Sequence, residues 1–278
     1  MKKIFQLSVL TMLIMTIIGL SSVSAREFVI SGSSTIQPFM ERLSPLWQKK
    51  TGNLLEIRGG GSGAGIRNTL AKESDMGMVS RALGDSEKAK LEYVTIGMDT
   101  LVIIVNIRNP IKEVNRKTVA DLFSGKTVNW SELTSWDEPV ILISKEIGRS
   151  TLDLFEDYSG LRHPNRKSGS GTLISSDAVE IGANIESLTL VGGLPGAVGY
   201  VSLGTANELI GDGLPIRILD LDGTSPEVRN ILSGTYPIQR ELNLVFLQKT
   251  PIVSSLIEEA LSSSGQRIVK ELGFIPVK

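Results

Sequence analysis

The residues of this chain best placed to do chemistry are hydroxyls set among glycines. GSSTIQPF (32–39) and GRSTLDLF (148–155) share the pattern Gly-x-Ser-Thr-(Ile/Leu)-x-x-Phe. Ser34-x-x-Gln37 and Ser150-x-x-Asp153 fit, or nearly fit, a capping box, which would do no more than start a helix. Position supports a second reading. Each phrase follows an apolar run and opens a helical pattern, and in open α/β sheets ligands bind beyond the carboxyl ends of strands. A helix start there offers unpaired N–H groups and a partial positive charge. Glycine admits close approach to the backbone, and Ser and Thr add donors. Such a set suits a small oxyanion, and two copies could close on it from both sides.

GGGSGAG (59–65) is a third candidate. A phosphate loop needs Gly-Lys-Ser/Thr, whereas Gly65 is followed by Ile66 and Arg67. A dinucleotide fingerprint fits only loosely. What remains is a glycine-rich helix start with Ser62 as an added donor. Its counterpart in the second half is either Gly169-Ser170-Gly171-Thr172 or Ser175-Ser176-Asp177-Ala178, and spacing from Ser202 favours the latter. Arg81, Lys145 and Arg149 are the cations near these loops. Asp99 and Asp177 are lone acids near strand or helix ends.

Catalysis has little to work with. His163 is the only histidine and reads as solvated in a polar loop beside Pro164. There is no cysteine, no Gly-x-Ser-x-Gly elbow and no metal-ligand spacing. No catalytic residue, metal or cofactor is therefore expected. The 278 residues carry a formal net charge of −1 without a long basic run, which argues against nucleic acid. Aromatics at 5% argue weakly against a sugar groove.

The elements that must position the loops alternate along the chain. Residues 1–25 read as a signal peptide: Lys2 and Lys3, an apolar stretch, then Val23-Ser24-Ala25. Phe28–Ile30 reads as a strand, and Ile36, Phe39, Met40, Leu43, Leu46 and Trp47 form one helical stripe. Strands are expected at 54–57, 76–79, 140–143, 198–201 and 242–247. Leu101–Val105 is an unbroken apolar strand buried on both faces. Helices are expected around 118–123, from the second phrase to about Tyr158, at 178–186, and from Pro251 with Thr250 as N-cap. The order strand, Gly-x-Ser-Thr, helix, strand, small-residue turn, helix, strand occurs twice, which implies two similar α/β lobes.

Eight stretches together resemble one family, the periplasmic phosphate-binding proteins of phosphate ABC transporters. They are SGSSTIQP (31–38), RGGGSGAGI (58–66), DMGMVSRAL (75–83), MDTLVIIVN (98–106), DLFSGKTVNW (121–130), GRSTLDLF (148–155), PGAVGYVSLG (195–204) and GTYPIQRELNLV (234–245). The resemblance implies an α/β, two-lobed type II periplasmic-binding-protein fold. Each lobe would be a mostly parallel sheet flanked by helices, with the ligand in the interlobe cleft. Lobe 1 would comprise 26–104 and 205–278, and lobe 2 105–204. It further implies a monomer in the periplasm that captures inorganic phosphate and delivers it to the permease of an ABC transporter. Another tetrahedral oxyanion (sulfate, molybdate, tungstate) or an anion-sensing module docking a receptor are the alternatives.

The ligand residues implied by the motifs are Ser33, Ser34, Thr35, Ser62, Gly63, Ser80, Arg81, Gly148, Arg149, Ser150 and Thr151. Many relatives have Gly-Ser-Gly-Thr where this chain has Gly148-Arg149-Ser150-Thr151. Some have, where Arg81 stands, an aspartate that accepts the proton of hydrogen phosphate. Asp99 and Asp177 are the two candidates left for that role. With Arg149 replacing a serine, the second lobe is expected to bring the formal positive charge.

Overall fold

A computed structural model of the chain describes residues 27–166 and 171–277. The expected signal peptide and the Gly169-Ser170 pair lie outside them. Among the described residues, no helix is long and apolar enough to cross a membrane.

The first sheet starts with β1 (Glu27–Gly32), β2 (Leu54–Arg58), β3 (Met76–Val79) and β4 (Glu92–Asp99). Helices α1 (Gln37–Thr51) and α2 (Ser62–Leu70) link the first three strands, and the short α3 (Asp85–Lys88) precedes β4. In α1, Phe39, Met40, Leu43 and Trp47 are buried along the expected stripe, and Gly52 ends the helix in the left-handed region at φ 72°. The chain then enters β5 (Leu101–Asn106), β6 (Glu113–Val114), α4 (Arg116–Phe123) and β7 (Ile141–Lys145). After β7 come α5 (Ser150–Ser159), β8 (Val179–Ile181), α6 (Asn184–Gly193), β9 (Ala197–Ser202) and α7 (Leu203–Gly211). β10 (Ile216–Ile218), β11 (Asp220–Leu221) and α8 (Val228–Leu232) complete this part. The chain returns through β12 (Arg240–Phe246), α9 (Pro251–Leu261), α10 (Ser263–Glu271) and β13 (Ile275–Pro276). Thr250 accepts from the Val253 N–H as the N-cap of α9, with Pro251 in the first turn.

The first sheet runs β13-β4-β12-β3-β1-β2 and the second β10-β5-β9-β7-β8. Both are mixed. In each, the strands that carry the loops are parallel: β2, β1 and β3 in one, β8, β7 and β9 in the other. The strands that carry the chain between sheets are antiparallel. β5 shows why an apolar run does not settle strand direction. It is buried throughout, as expected, yet both of its neighbours are antiparallel.

Each sheet has its own apolar core, one around Phe28, Ile30, Phe39 and Trp47, the other around Leu101–Val105, Phe123, Phe155 and Tyr200. Phe155 stacks on Tyr200 with ring centroids 4.0 Å apart. The chain crosses between sheets at Thr100 and again between Ile238 and Arg240. The Thr100 hydroxyl donates to the Ile238 carbonyl and ties the crossings together. The expected lobe limits at 104/105 and 204/205 do not coincide with sheet membership. Leu101 to Ile104 already belong to the second sheet, and residues 203–238 pack into its core. The helix expected at 178–186 is corrected as well: residues 179–181 are strand β8, paired with β7, and the helix begins at Asn184.

Candidate functional site

Neither repeated serine caps a helix. The first N-cap is Ile36 and the second Arg149, and neither helix start has a side-chain cap. The hydroxyls of Ser33, Ser62, Ser80 and Ser150 are linked to one another instead, and the Ser150 bond crosses from the second lobe to the first. Ser33 Oγ donates to Ser80 Oγ at 2.8 Å, and the Ser80 N–H donates to Ser62 Oγ at 3.0 Å. The Ser150 hydroxyl donates to Ser62 Oγ. The Gly63 N–H donates to the Gly148 carbonyl at 3.2 Å. These contacts set the start of α2, in the first lobe, against the start of α5, in the second. Ser33, Thr35, Ser62, Ser80, Ser150 and Thr151 are all buried, and Ser34 is half-buried.

A buried arginine completes the cluster. Arg240, at the start of β12, is 3% exposed. Its Nε and one terminal nitrogen donate to Asp99 Oδ2 at 2.9 and 2.6 Å. Its remaining contacts are to Thr35 Oγ1 and Thr151 Oγ1, each at 3.2 Å, one from each lobe. A guanidinium has five N–H donors, so Asp99 holds the group while part of its donor set faces the two phrases. Asp99 also accepts from Ser202 Oγ at 2.7 Å. That carboxylate is committed to Arg240 and Ser202, which leaves it poorly disposed to read a ligand's proton.

Asn184, the first residue of α6, reaches across as well: its Nδ2 donates to Thr35 Oγ1 at 3.1 Å. It takes the place expected of Ser170 or Ser176 as the counterpart of Ser62. Ser62 precedes Ser80 by 18 residues, and Asn184 precedes Ser202 by the same interval. Stepping back from Ser202 by that interval would have found it. Lys145 closes β7 just ahead of the second phrase and is 1% exposed; its Nζ donates to the Ala183 carbonyl at 2.9 Å. Arg240 lies inside the motif GTYPIQRELNLV, and an arginine abutting an apolar strand is the signal that marks it.

Three expected ligands stand outside the bonded cluster. Asp177 is exposed and precedes β8, whereas the loops lie beyond the carboxyl end of that strand. Asp177 sits in a turn ahead of the strand, with its N–H donating back to Ser175 Oγ at 3.2 Å, and the whole of β8 separates it from that end. Arg81 gives both terminal nitrogens to Glu87, at 2.7 and 2.8 Å, and this pairing holds its pKa up. Arg149 pairs with Glu146 at 3.0 Å and lines a groove of about 440 Å³ with Ser34, Gln37, Gly59, Gly60, Glu180 and Glu186. That groove is the mouth of the cleft, so Arg149 stands at the entrance. The deeply buried charge comes from Arg240 and Lys145. His163 is buried rather than solvated: its Nδ1 accepts from the Asn165 N–H at 3.1 Å. Among the described residues, no group of three or more His, Asp or Glu side chains could hold a metal.

The electrostatics of this assembly favour an anion. Each helix N-terminus carries about half a positive charge and stabilises an adjacent anion by about 0.3–1 kcal/mol, rising to ~2 in partly buried geometry. Two such ends meet here beside a guanidinium. Hydroxyl hydrogens can rotate from their mutual bonds toward a ligand oxygen, since a hydroxyl both donates and accepts.

A family model described as a PBP superfamily domain matches residues 21–264. The phosphate-binding protein PstS of Borreliella burgdorferi is 26% identical over 253 residues, covering 90% of this chain and 89% of that relative. PstS of Bacillus subtilis is also 26% identical, covering 90% and 81%. Among solved structures, a phosphate ABC transporter substrate-binding protein from Clostridium perfringens with bound phosphate is similar at a TM-score of 0.81 and 29% identity, covering 91% of this chain and all of its own. An ABC-type phosphate transport receptor from Vibrio cholerae follows at 0.70 and 25%, covering 90% and all of its own. With a fold shared over nine-tenths of its length and a family match through both lobes, this chain belongs to the PBP superfamily and has its two-lobed type II architecture.

Proposed function

We propose that this protein is a Pst-type solute-binding protein that captures inorganic phosphate between its lobes and delivers it to the permease of an ABC transporter. The observation that carries the reading is the meeting of two uncapped helix starts, one per lobe, at Ser62 and Ser150, beside the buried guanidinium of Arg240. The phosphate-binding relatives, matched through both lobes, support the choice of ligand. The ligand set we propose is Ser33, Ser34, Thr35, Ser62, Gly63, Ser80, Gly148, Ser150, Thr151 and Arg240, with Arg149 at the entrance. The protein works as a monomer, is exported to the periplasm, and carries out no reaction on its cargo.

Binding needs no basic patch. A hydrogen bond to a charged group is worth roughly 1.5–3 kcal/mol net, and micromolar affinity needs about 8 kcal/mol. A few such donors suffice. Calorimetry of the protein lacking residues 1–25, with phosphate, arsenate, sulfate, molybdate and tungstate in turn, tests the assignment. Saturable phosphate binding is expected. Tight binding of sulfate, molybdate or tungstate without a phosphate response would move the protein to another oxyanion.

A further inference from the structure

Arg81 and Asp153 stand outside the ligand set, on opposite lobes, and each is held in place by its own lobe. Arg81 comes just after β3 in the first lobe. Its two terminal nitrogens donate to the Glu87 carboxylate at 2.7 and 2.8 Å, and its carbonyl accepts from Asn243 Nδ2 of β12 at 3.1 Å. Asp153 lies in the first turn of α5 in the second lobe. Its Oδ1 accepts from Arg166, which also donates through Nε to the buried carboxylate of Glu156 at 2.9 Å. Arg81 Nε and Asp153 Oδ2 take no part in those bonds, and they stand 3.8 Å apart across the cleft. Glu87, Arg81, Asp153, Arg166 and Glu156 thus alternate in charge from one lobe to the other. The pair borders a groove of about 360 Å³ between the lobes, lined also by Met98, Asp157, Arg240 and Glu241. Arg240 belongs both to this groove and to the anion cluster, whereas the mouth at Arg149 is lined by other residues. We propose that Arg81 and Asp153 are a positioning pair that latches the closed lobes at this second opening and slows release of the anion without touching it.

An isolated surface ion pair contributes little, because ordering two long side chains offsets the attraction. Here Glu87 orders one partner and Arg166 the other before the lobes meet. Both side chains are also partly buried, at 23% and 32% exposed, which limits screening by salt. Opening the lobes parts Nε from Oδ2 and leaves the inner pairs intact, so the latch acts on the closed form alone. Anion and latch favour the same state, and each therefore holds it for the other. Arg42 and Glu208 also pair between the lobes, at 2.6 Å, but the arginine is more exposed and lies within 3.9 Å of Glu271 as well.

This inference rests on the phosphate reading, and one set of variants separates the two. Arg81→Gln, Asp153→Asn and the double variant are compared with the unaltered protein. Calorimetry gives Kd for phosphate, and stopped flow follows its release into an excess of a fluorescent phosphate reporter. Each single substitution is expected to speed release roughly three- to fivefold, the upper worth of a partly exposed ion pair. The double variant should release no faster than the singles, because all three lose the same contact. Association should stay within about twofold, and the differences in release should fade in about 1 M salt. In thermal melts without phosphate the two substitutions should act additively. Asp153→Asn leaves Arg81 paired with Glu87 and decides if Arg81→Gln does not fold. Additive effects on release would overturn the latch, and so would coupling of equal size in the melts without phosphate, which marks a fixed strut. Entry and release quickened alike, with Kd unchanged, would make the pair a gate and overturn it too. Each of those results leaves the phosphate assignment standing, whereas no phosphate binding by the unaltered protein would remove the assignment and the latch together.

Discussion

Arg240 offers the strongest test of how the site is built, because its structural and ligand roles can be separated. Asp99 and Arg240 form an ion pair with both side chains fully buried. Arg240→Met removes one partner and strands a buried carboxylate, which costs about 3–5 kcal/mol. That is a large share of the roughly 5–15 kcal/mol that holds a domain folded. Replacing the pair together by apolar side chains, Asp99→Leu with Arg240→Met, removes the stranded charge and is often nearly neutral for stability. The double variant should therefore regain most of the loss in urea unfolding, short of about 1 kcal/mol for the Ser202 bond to Asp99. Phosphate affinity should not return with it. The guanidinium reaches Thr35 and Thr151 from the first and second phrases, and its loss should weaken binding by roughly 1.5–3 kcal/mol, about ten- to a hundredfold. A double variant that unfolds like the unaltered protein and binds phosphate within a few-fold of it would refute the reasoning. Arg240 would then be a strut rather than a ligand cation.

Two further outcomes follow from the closeness of the loops. Gly61 has φ 83°, and a Cβ there would lie 2.8 Å from the Gly148 carbonyl oxygen across the cleft; Gly148 has φ 95° and open space around it. Alanine at either position should cost about 1–3 kcal/mol of stability by chemical denaturation, but only Gly61→Ala should also lose more than roughly tenfold in phosphate affinity, through the clash in the closed form; equal affinity losses would mean that the lobes close without these loops touching. Arg149→Ala should lower affinity less than Ser33→Ala, since Arg149 shares its charge with Glu146 at the entrance, where such pairs contribute about 0–1 kcal/mol; its effect should lie in the salt dependence of the association rate, measured by stopped flow.

What the sequence revealed and what it hid divide along physical lines. The two Gly-x-Ser-Thr phrases were legible because a loop after a strand and before a helix is a local pattern, and the structure brings Ser33, Ser62, Ser80 and Ser150 into one bonded chain. The sheet around them was legible through periodicity, as in the α1 stripe. Arg240 and Asn184 were hidden because their partners are distant: Arg240 lies 205 positions from Thr35, and Asn184 lies 149. An arginine abutting an apolar strand marks a position worth asking about, but its role appears only when the crossing brings β12 against both lobes. Asp177 misled for the converse reason. A helix assigned over 178–186 put it at a helix start, whereas a three-residue strand there puts it at the wrong end of the sheet. Very short strands carry too few residues to show a period.

The same placement that makes the cleft an anion trap should make it a weak point of the fold, and Lys145 shows how. Unfolded, its amine has the ordinary pKa near 10.5; folded, burial holds it at about 7. Between those values the unfolded chain binds more protons, so stability rises with pH across that window and is lowest below about pH 7. At 1.36 kcal/mol per unit the shift corresponds to a cost of the order of 3–5 kcal/mol at pH 6, an upper bound that structural relaxation reduces. Lys145→Met carries no such cost. Without phosphate it should be the more stable protein at pH 6 by urea unfolding, with the gap narrowing as pH climbs toward 10. If the apo variant shows the same stability difference at every pH, the ammonium is not being held at a cost.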